Sequence, residues 1–195
     1  MDIDGLTLRL FGSKWVMGMA GGQWWRLVTA GFLHGGLMHI AMNSWVLFDL
    51  GTSVEEAYGT SRMLVIYFLS SVAGFYVSAL WSQADSVGAS AALFGLLGAM
   101  IALGTRDRSS MGDATRSMYV RWAVLMLVIS LFGRIDMAAH VGGLAGGFGV
   151  AWIAGTPRVS KTWTERLWRV AAFFCVLTTL ACFLKMYLWF ASVAK

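Results

Sequence analysis

Six long apolar stretches alternate with short polar stretches along the 195-residue chain. A membrane-spanning helix needs roughly 20 predominantly apolar residues, and most of these stretches approach that length. The pattern predicts an all-α, polytopic membrane helix bundle with six transmembrane segments. The six segments are Leu33–Leu50, Met63–Trp81, Ser90–Gly104, Tyr119–Phe132, Met137–Ile153 and Val170–Val193.

The composition supports a protein that lies in a lipid bilayer. Hydrophobic residues make up 58% of the chain, charged residues make up 13%, and the mean hydropathy is +0.68. A water-soluble fold of this length does not need so much apolar surface. The net charge of +5 comes from basic residues in short gaps between apolar stretches, where membrane proteins carry them. We therefore expect a lipid bilayer as the surroundings and no nucleic-acid partner.

Basic residues are divided unevenly between the two sets of gaps and flanks. Because cytoplasmic loops carry an excess of Lys and Arg, the set richer in basic residues is predicted to be cytoplasmic. Ser90 and His140, near the starts of the third and fifth segments, then both lie towards the outer side. The richer set is Arg62, Arg106, Arg108, Arg116, Arg121, Arg158, Lys161, Arg166 and Arg169, and the poorer set is Arg9, Lys14, Arg26 and Arg134.

Ser90 and His140 are the first candidates for chemistry. An ionisable residue inside a membrane is costly, so an intramembrane histidine indicates a functional site. A serine and a histidine at similar depth suggest a nucleophile and its general base. For Ser90 taken alone, the alternative is a helix cap.

The first apolar segment contributes two further polar side chains, His39 and Asn43. Their i,i+4 spacing places both on one helix face. Together with the N–H of Ser90, which has no partner within its helix, they could bind an oxyanion. For His39 and Asn43 taken alone, ordinary polar contacts between helices are the alternative.

Four short signatures occur in register along the chain and resemble those of the rhomboid intramembrane serine proteases. The resemblance covers about residues 25–150. It implies that Ser90 is the nucleophile and His140 the general base, with no acidic third member. Asp136, four residues before His140, is expected in a loop at the outer interface rather than in catalytic contact. The signatures are Trp25-Arg26, His39-xxx-Asn43, Gly88-x-Ser90 and Ala139-His140-xx-Gly143-xxx-Gly147.

The resemblance also implies roles for the residues around the dyad. The side chains of His39 and Asn43, with the N–H of Ser90, would bind the oxyanion. Phe94, one turn after Ser90, would pack on the catalytic imidazole. The remaining supporting residues are Gly88 beside the nucleophile, Gly143 and Gly147 for close helix approach, and Trp25 and Arg26 for the loop in the outer leaflet.

As an expectation, the chain is therefore a serine endopeptidase that cleaves transmembrane protein substrates, single-span or otherwise, within the bilayer. No cofactor is implied, and three histidines without an HExxH motif predict no metal site. A bacterial plasma membrane is the expected location. Two alternatives remain: a catalytically impaired relative that binds membrane clients, and a small channel or transporter with polar residues along its pathway.

The expected organisation is a single rhomboid-type membrane domain over residues 1–195. Residues 1–32 form an N-terminal segment and outer-leaflet loop, 33–155 the catalytic core helices, 156–169 a cytoplasmic loop and 170–193 an extra C-terminal transmembrane helix. Rhomboids place a transmembrane helix before the Trp-Arg loop, and no stretch before Trp25 is long and apolar enough to be one. The chain is therefore expected to correspond to helices two to seven of a six-plus-one member, truncated or with its start assigned downstream of the true one.

Overall fold

A computed structural model describes residues 2–132, 135–157 and 162–193, and this part of the chain is mainly helical. Three short helices come first: α1 (Gly5–Leu10), α2 (Val16–Ala20) and α3 (Arg26–Thr29), with a 3-10 turn at Ala30–Phe32. Six longer helices follow: α4 (Leu37–Tyr58), α5 (Thr60–Trp81), α6 (Ser90–Arg106), α7 (Ser110–Leu131), α8 (Met137–Ala154) and α9 (Thr162–Val193). The predicted all-α membrane fold is confirmed.

Four of the long helices, α5, α7, α8 and α9, are long and apolar enough to cross a membrane. Helix α6 is apolar but has 17 residues, about 26 Å at 1.5 Å per residue, which is shorter than a bilayer's hydrocarbon core. Helix α4 has 22 residues and carries Asp49, Glu55 and Glu56 in its second half. All six predicted segments are thus helices, and four of them satisfy the criterion for a span by length and composition.

Several predicted boundaries are wrong by about one to two and a half turns. Helix α4 begins at Leu37 rather than Leu33, because Gly35 and Gly36 precede it in extended or irregular backbone. Helix α7 begins nine residues earlier than the predicted Tyr119, because the Ser109 hydroxyl accepts a hydrogen bond from Gly112 N–H and caps a polar first turn. Arg116 and Arg121 consequently lie on α7 rather than in a gap. Helices α5 and α9 likewise begin earlier than predicted, at Thr60 and Thr162.

Arg134, Arg158 and Lys161, which entered the prediction of membrane orientation, lie outside the described residues. The orientation itself stays a prediction. In the described part of the chain, the helix starts that hold Ser90 and His140 lie together at one end of the bundle, since these two side chains are in contact.

Helix α6 forms the centre of the bundle and contacts α4, α5, α7 and α8. Most of its residues are buried, and Leu93, Leu96 and Met100 belong to the main hydrophobic core. Helix α9 is at the opposite extreme, because Ala172 is its one buried residue among those described. Its apolar surface is the kind that a bilayer covers.

Glycines set the spacing between α6 and α8. A Cβ atom at Gly143 would overlap the Ala91 carbonyl, and one at Gly147 would overlap the Gly95 carbonyl. The two helix backbones are therefore in direct contact, as in other small-residue helix pairs in membranes. This contact fixes His140, on α8, at the height of Ser90, on α6.

Candidate active site

The Ser90 and His140 side chains are within hydrogen-bonding distance. His140 Nε2 lies 2.9 Å from Ser90 Oγ, although 50 residues separate them in sequence. His140 is 4% exposed, and Ser90 is partly exposed at the first residue of α6. This is the separation that a nucleophilic hydroxyl and its general base require.

Two neighbours hold the His140 ring on its other sides. Phe94 stacks on it with ring centroids 4.2 Å apart and an interplanar angle of 21°. The Ser130 hydroxyl, in the last turn of α7, lies 3.0 Å from His140 Nδ1. The imidazole is therefore held by Phe94 and Ser90 of α6 and by Ser130 of α7.

His39 and Asn43 lie beside Gly88, two residues before Ser90. A Cβ atom built on Gly88 would be 2.7 Å from His39 Nε2 and 3.6 Å from Asn43 Nδ2. Gly88 has a φ of +128°, which L side chains rarely adopt, so both its backbone conformation and its surroundings require glycine. The structure thus brings His39 and Asn43 together at the entry to α6.

His39 and Asn43 each have an N–H group that is available as a hydrogen-bond donor. His39 Nδ1 accepts a hydrogen bond of 3.3 Å from Gly35 N–H, so in the neutral ring the proton is on Nε2, which faces Gly88. Asn43 Nδ2 is buried and has no hydrogen-bond partner among the described residues. A buried amide without a partner is costly unless a ligand or water satisfies it.

The N-terminus of α6 adds backbone donors at the same place. Its N-cap, Ala89, provides no side-chain hydrogen bond, and the first N–H groups of a helix have no partner within it. The positive end of the helix dipole also favours a negative charge there. Ser90 N–H, Asn43 and His39 therefore form a set of donors at the start of α6.

The loop that leads into α6 is held by the N-terminal segment. Lys14 pairs with Ser86 through two backbone hydrogen bonds of 2.9 and 3.2 Å, and its buried ammonium donates to the Ser82 carbonyl at 3.0 Å. Gly88 N–H donates to the Ala30 carbonyl at 2.9 Å. Burial lowers the pKa of Lys14, while the carboxylates of Asp136 and Asp85 act to raise it.

Trp25 and Arg26 lie within the N-terminal segment, and none of their described hydrogen bonds or ring contacts is to Ser90 or His140. Arg26 is fully buried and donates to the carbonyls of Arg9 and Ser13 at 2.8 and 3.0 Å. Its guanidinium lies over the rings of Trp25 and Trp189, 4.6 and 5.0 Å from their centroids. Burial lowers the pKa of Arg26 to about 10, so it is charged at neutral pH. The arrangement is that of a loop anchor that also contacts α9.

Asp136 is the N-cap of α8, and its backbone carbonyl accepts from His140 N–H at 3.1 Å, but among the described residues its carboxylate makes no hydrogen bond to the dyad. Its carboxylate accepts from Ala139 N–H at 3.0 Å and from the Ser78 hydroxyl on α5. The acidic residue nearest to His140 in sequence therefore serves the helix start. Among the described residues, no group of three His, Cys, Asp or Glu side chains could hold a metal ion.

Ser130 is a residue of the site that the sequence alone does not predict. A serine near the end of an apolar helix gives no signal of its own, because such residues commonly bond to the carbonyl one turn back. Ser130 does so, with its hydroxyl 2.7 Å from the Met126 carbonyl. Its second contact, to His140, depends on how α7 and α8 pack and is not encoded in a local motif.

Comparison with known proteins gives the family. The model of the rhomboid domain matches residues 21–157. The rhomboid protease GluP of Bacillus subtilis is 38% identical over 156 residues, which cover 78% of this chain and 30% of that protein. The putative rhomboid protease YdcA of the same organism is 35% identical over 137 residues, or 68% of each chain.

A relative from a second organism belongs to the same family. The rhomboid-like protease 2 of Toxoplasma gondii is 34% identical over 170 residues, which cover 82% of this chain and 58% of that protein. This chain thus spans less than two thirds of the length of several relatives that it matches. Because the domain match covers most of the chain, the protein belongs to the rhomboid family.

Proposed function

We propose that this multi-pass membrane protein is a serine endopeptidase that cleaves transmembrane helices with a dyad of Ser90 and His140. The observation that carries the proposal is the 2.9 Å separation of His140 Nε2 and Ser90 Oγ next to unpaired hydrogen-bond donors. Relatives named rhomboid proteases support the reaction class.

In the first half of the reaction, the Ser90 hydroxyl attacks the carbonyl carbon of the scissile peptide bond while His140 Nε2 takes its proton. The carbonyl oxygen becomes an oxyanion, which accepts hydrogen bonds from His39, Asn43 and Ser90 N–H. The intermediate collapses, the C–N bond breaks, and the imidazolium gives its proton to the leaving amine. An acyl ester on Ser90 remains.

In the second half, a water molecule attacks the ester carbonyl and gives a proton to His140. The second oxyanion uses the same donors, and its collapse returns the proton to Ser90 and releases the new carboxyl end. Asn43 Nδ2, which has no partner among the described residues, gains one only when an oxyanion or a water is present. This is the property expected of a donor that acts mainly in the transition state.

The substrate class follows from the surroundings of the site. A continuous helix keeps its peptide carbonyls in its own hydrogen bonds, so a scissile bond within a bilayer must lie in an unwound stretch. We therefore propose transmembrane protein substrates with helix-destabilising residues such as glycine or proline near the cut. A bacterial plasma membrane as the location stays a prediction, since the relatives include proteins of Bacillus and Toxoplasma.

The proposal is tested with purified protein in detergent, a fluorophosphonate probe and a single-span reporter whose transmembrane helix carries helix-destabilising residues near the expected cut. We expect the probe to label Ser90, and Ser90→Ala and His140→Ala each to lower cleavage by several orders of magnitude. Gel filtration and thermal unfolding should show that both variants retain the bundle. Undiminished cleavage by Ser90→Ala would contradict the mechanism.

The same experiment separates the alternative of a catalytically impaired relative that binds membrane clients. Such a protein would capture the reporter without cutting it, and the probe would leave Ser90 unlabelled. Heat-denatured protein is the control for non-specific labelling. No specific observation in the described part of the chain favours a channel or transporter.

A further inference from the structure

We infer that Ser130 is a positioning residue that holds His140 in the tautomer with a proton on Nδ1 and a free lone pair on Nε2. The inference rests on the proposed function, in which Nε2 takes the Ser90 proton and therefore needs a free lone pair. The dyad has no acidic member. The neutral hydroxyl of Ser130 would take the place that a carboxylate has in the Ser-His-Asp triad of other serine proteases.

The first step is the direction of the Ser130 hydrogen bonds. A hydroxyl has one hydrogen to donate and two lone pairs to accept with. Ser130 Oγ lies 2.7 Å from the Met126 carbonyl oxygen, which cannot donate, so this bond uses the hydroxyl hydrogen. The distance is the usual one for an O–H···O hydrogen bond.

The second step is the state of the imidazole. With its hydrogen directed at Met126, Ser130 Oγ faces His140 Nδ1 with a lone pair, so Nδ1–H is the donor across the 3.0 Å separation. That length is typical of N–H···O hydrogen bonds. A neutral imidazole carries one ring proton, so Nε2 is then an acceptor and the Ser90 hydroxyl donates to it at 2.9 Å.

The third step is that this function is not duplicated by another side chain of the described residues. Both Ser130 and His140 are buried, at 4% exposed each, so water is a poor substitute for the hydroxyl. Phe94 fixes the plane of the ring by stacking, but it cannot distinguish the two tautomers. Asp136 is engaged with Ala139 N–H and Ser78.

The test compares Ser130→Ala, which removes the acceptor, with Ser130→Thr, which keeps the hydroxyl. Ser70→Ala is the matched control, because Ser70 is also buried and also bonds to the carbonyl one turn back, 2.5 Å from Ile66 O, without contact to the dyad. We expect Ser130→Ala to lower kcat about 3–10-fold, the factor of one hydrogen bond, with KM unchanged. Ser130→Thr should recover most of the loss, and Ser70→Ala should retain wild-type kcat.

A structural role alone would not change the tautomer, so the second readout is nitrogen NMR of the histidine rings. In protein labelled with ¹⁵N-histidine, the His140 signals are assigned by their loss in His140→Ala. We expect the wild type at neutral pH to carry its ring proton on Nδ1, and Ser130→Ala to populate the Nε2–H form. A wild type with the proton on Nε2, or a tautomer unaffected by Ser130→Ala, would overturn the inference.

The two proposals fail in different ways. If the wild type neither labels with fluorophosphonate nor cleaves the reporter, the protease proposal is wrong, and the NMR experiment still decides whether Ser130 sets the tautomer. If the wild type is active and Ser130→Ala equals Ser70→Ala in kcat, the role of Ser130 is wrong while the dyad stands.

Discussion

The two site histidines differ in the group that faces Nδ1, a backbone N–H at His39 and a hydroxyl at His140. His39 Nδ1 accepts from Gly35 N–H and leaves Nε2 as a donor, whereas His140 Nδ1 faces the Ser130 hydroxyl and Nε2 faces Ser90. One side chain type can therefore supply a hydrogen-bond donor and a base within the same site. The neighbours, rather than the residue type, determine the role.

Asn43 offers a direct test of transition-state binding. We expect Asn43→Ala to remove about 2–4 kcal/mol of transition-state stabilisation, or less if His39 and Ser90 N–H compensate, and so to lower the turnover rate. The loss should appear in kcat rather than KM, because the amide gains its partner as the oxyanion forms. The measurement is steady-state cleavage of the reporter.

Asn43→Asp separates the donor from the shape of the side chain, since an ionised carboxylate can only accept. It should be at least as impaired as Asn43→Ala. Met42→Ala is the control, because the neighbouring side chain is 64% exposed on the outside of α4. Wild-type kcat in Asn43→Asp would show that no donor is needed at this position.

Gly88 and Gly22 separate backbone strain from obstruction of the site. Both have positive φ, +128° and +90°, but a Cβ at Gly22 meets open space, whereas one at Gly88 meets His39 Nε2 at 2.7 Å. The backbone strain of about 1–2 kcal/mol should be common to Gly88→Ala and Gly22→Ala. We expect Gly88→Ala nevertheless to lose at least tenfold more cleavage activity than Gly22→Ala. Equal activity losses, measured beside thermal unfolding, would contradict a role for Gly88 in placing His39.

The residues that could be predicted from the sequence are those with local signatures. Ser90 and His140 are conspicuous in the sequence because each lies in an apolar stretch, and the structure places them in contact. Ser130 could not be found this way, because its contact depends on the approach of α7 to α8. The roles of all three stay predictions until activity is measured.

At the scale of helices, the close approach of α6 and α8 depends on glycine at particular positions. We expect Gly147→Ala to destabilise the bundle and lower activity, because its Cβ would overlap the Gly95 carbonyl and push the helices apart. Gly149, two residues on, has open space at its Cβ position. Gly149→Ala should be neutral or slightly more stable, since alanine gains up to about 1 kcal/mol in a helix.

Thermal unfolding in detergent measures the stability of both variants, and fluorophosphonate labelling reports whether the dyad is still assembled. If Gly147→Ala labelled at the wild-type rate with an unchanged melting temperature, the helix contact would not be what aligns Ser90 and His140. The GxxxG-like spacing made this pair of faces predictable, whereas α7 and α9 begin with polar turns that an apolar count does not register.

At the scale of the molecule, a polar network joins four separate parts of the chain at the end of the bundle that holds the dyad. Lys14 belongs to the N-terminal segment, Ser86 to the loop before α6, and Asp136 to the start of α8. The Ser78 hydroxyl on α5 joins the same carboxylate. The network therefore connects the elements that carry Ser90 and His140 at points outside the dyad itself. None of these contacts was predictable from spacing, because they require the loops to be placed first.

Asp136 makes the stability of this network dependent on pH. Burial acts to raise its pKa, but hydrogen bonds from Ser78, Ala139 N–H and Ser86, with the nearby charge of Lys14, outweigh burial and lower the pKa below the ordinary 3.8. A carboxylate with a lowered folded-state pKa stabilises the fold above its unfolded pKa and loses that contribution as the pH falls through the folded value. The stabilisation is thus complete at neutral pH and is lost below about pH 4.

We expect Asp136→Asn to be less stable than the wild type at pH 7 by about 1 kcal/mol, the difference between charged and neutral hydrogen bonds. The gap in free energy of unfolding, measured in detergent from pH 7 to pH 3, should narrow as the wild-type carboxylate becomes protonated. Asp113→Asn is the control, because that carboxylate is 68% exposed on α7 and bonds within its own helix. A gap that stayed constant over this range, or matched that of Asp113→Asn, would show that the Asp136 charge does not hold this network together.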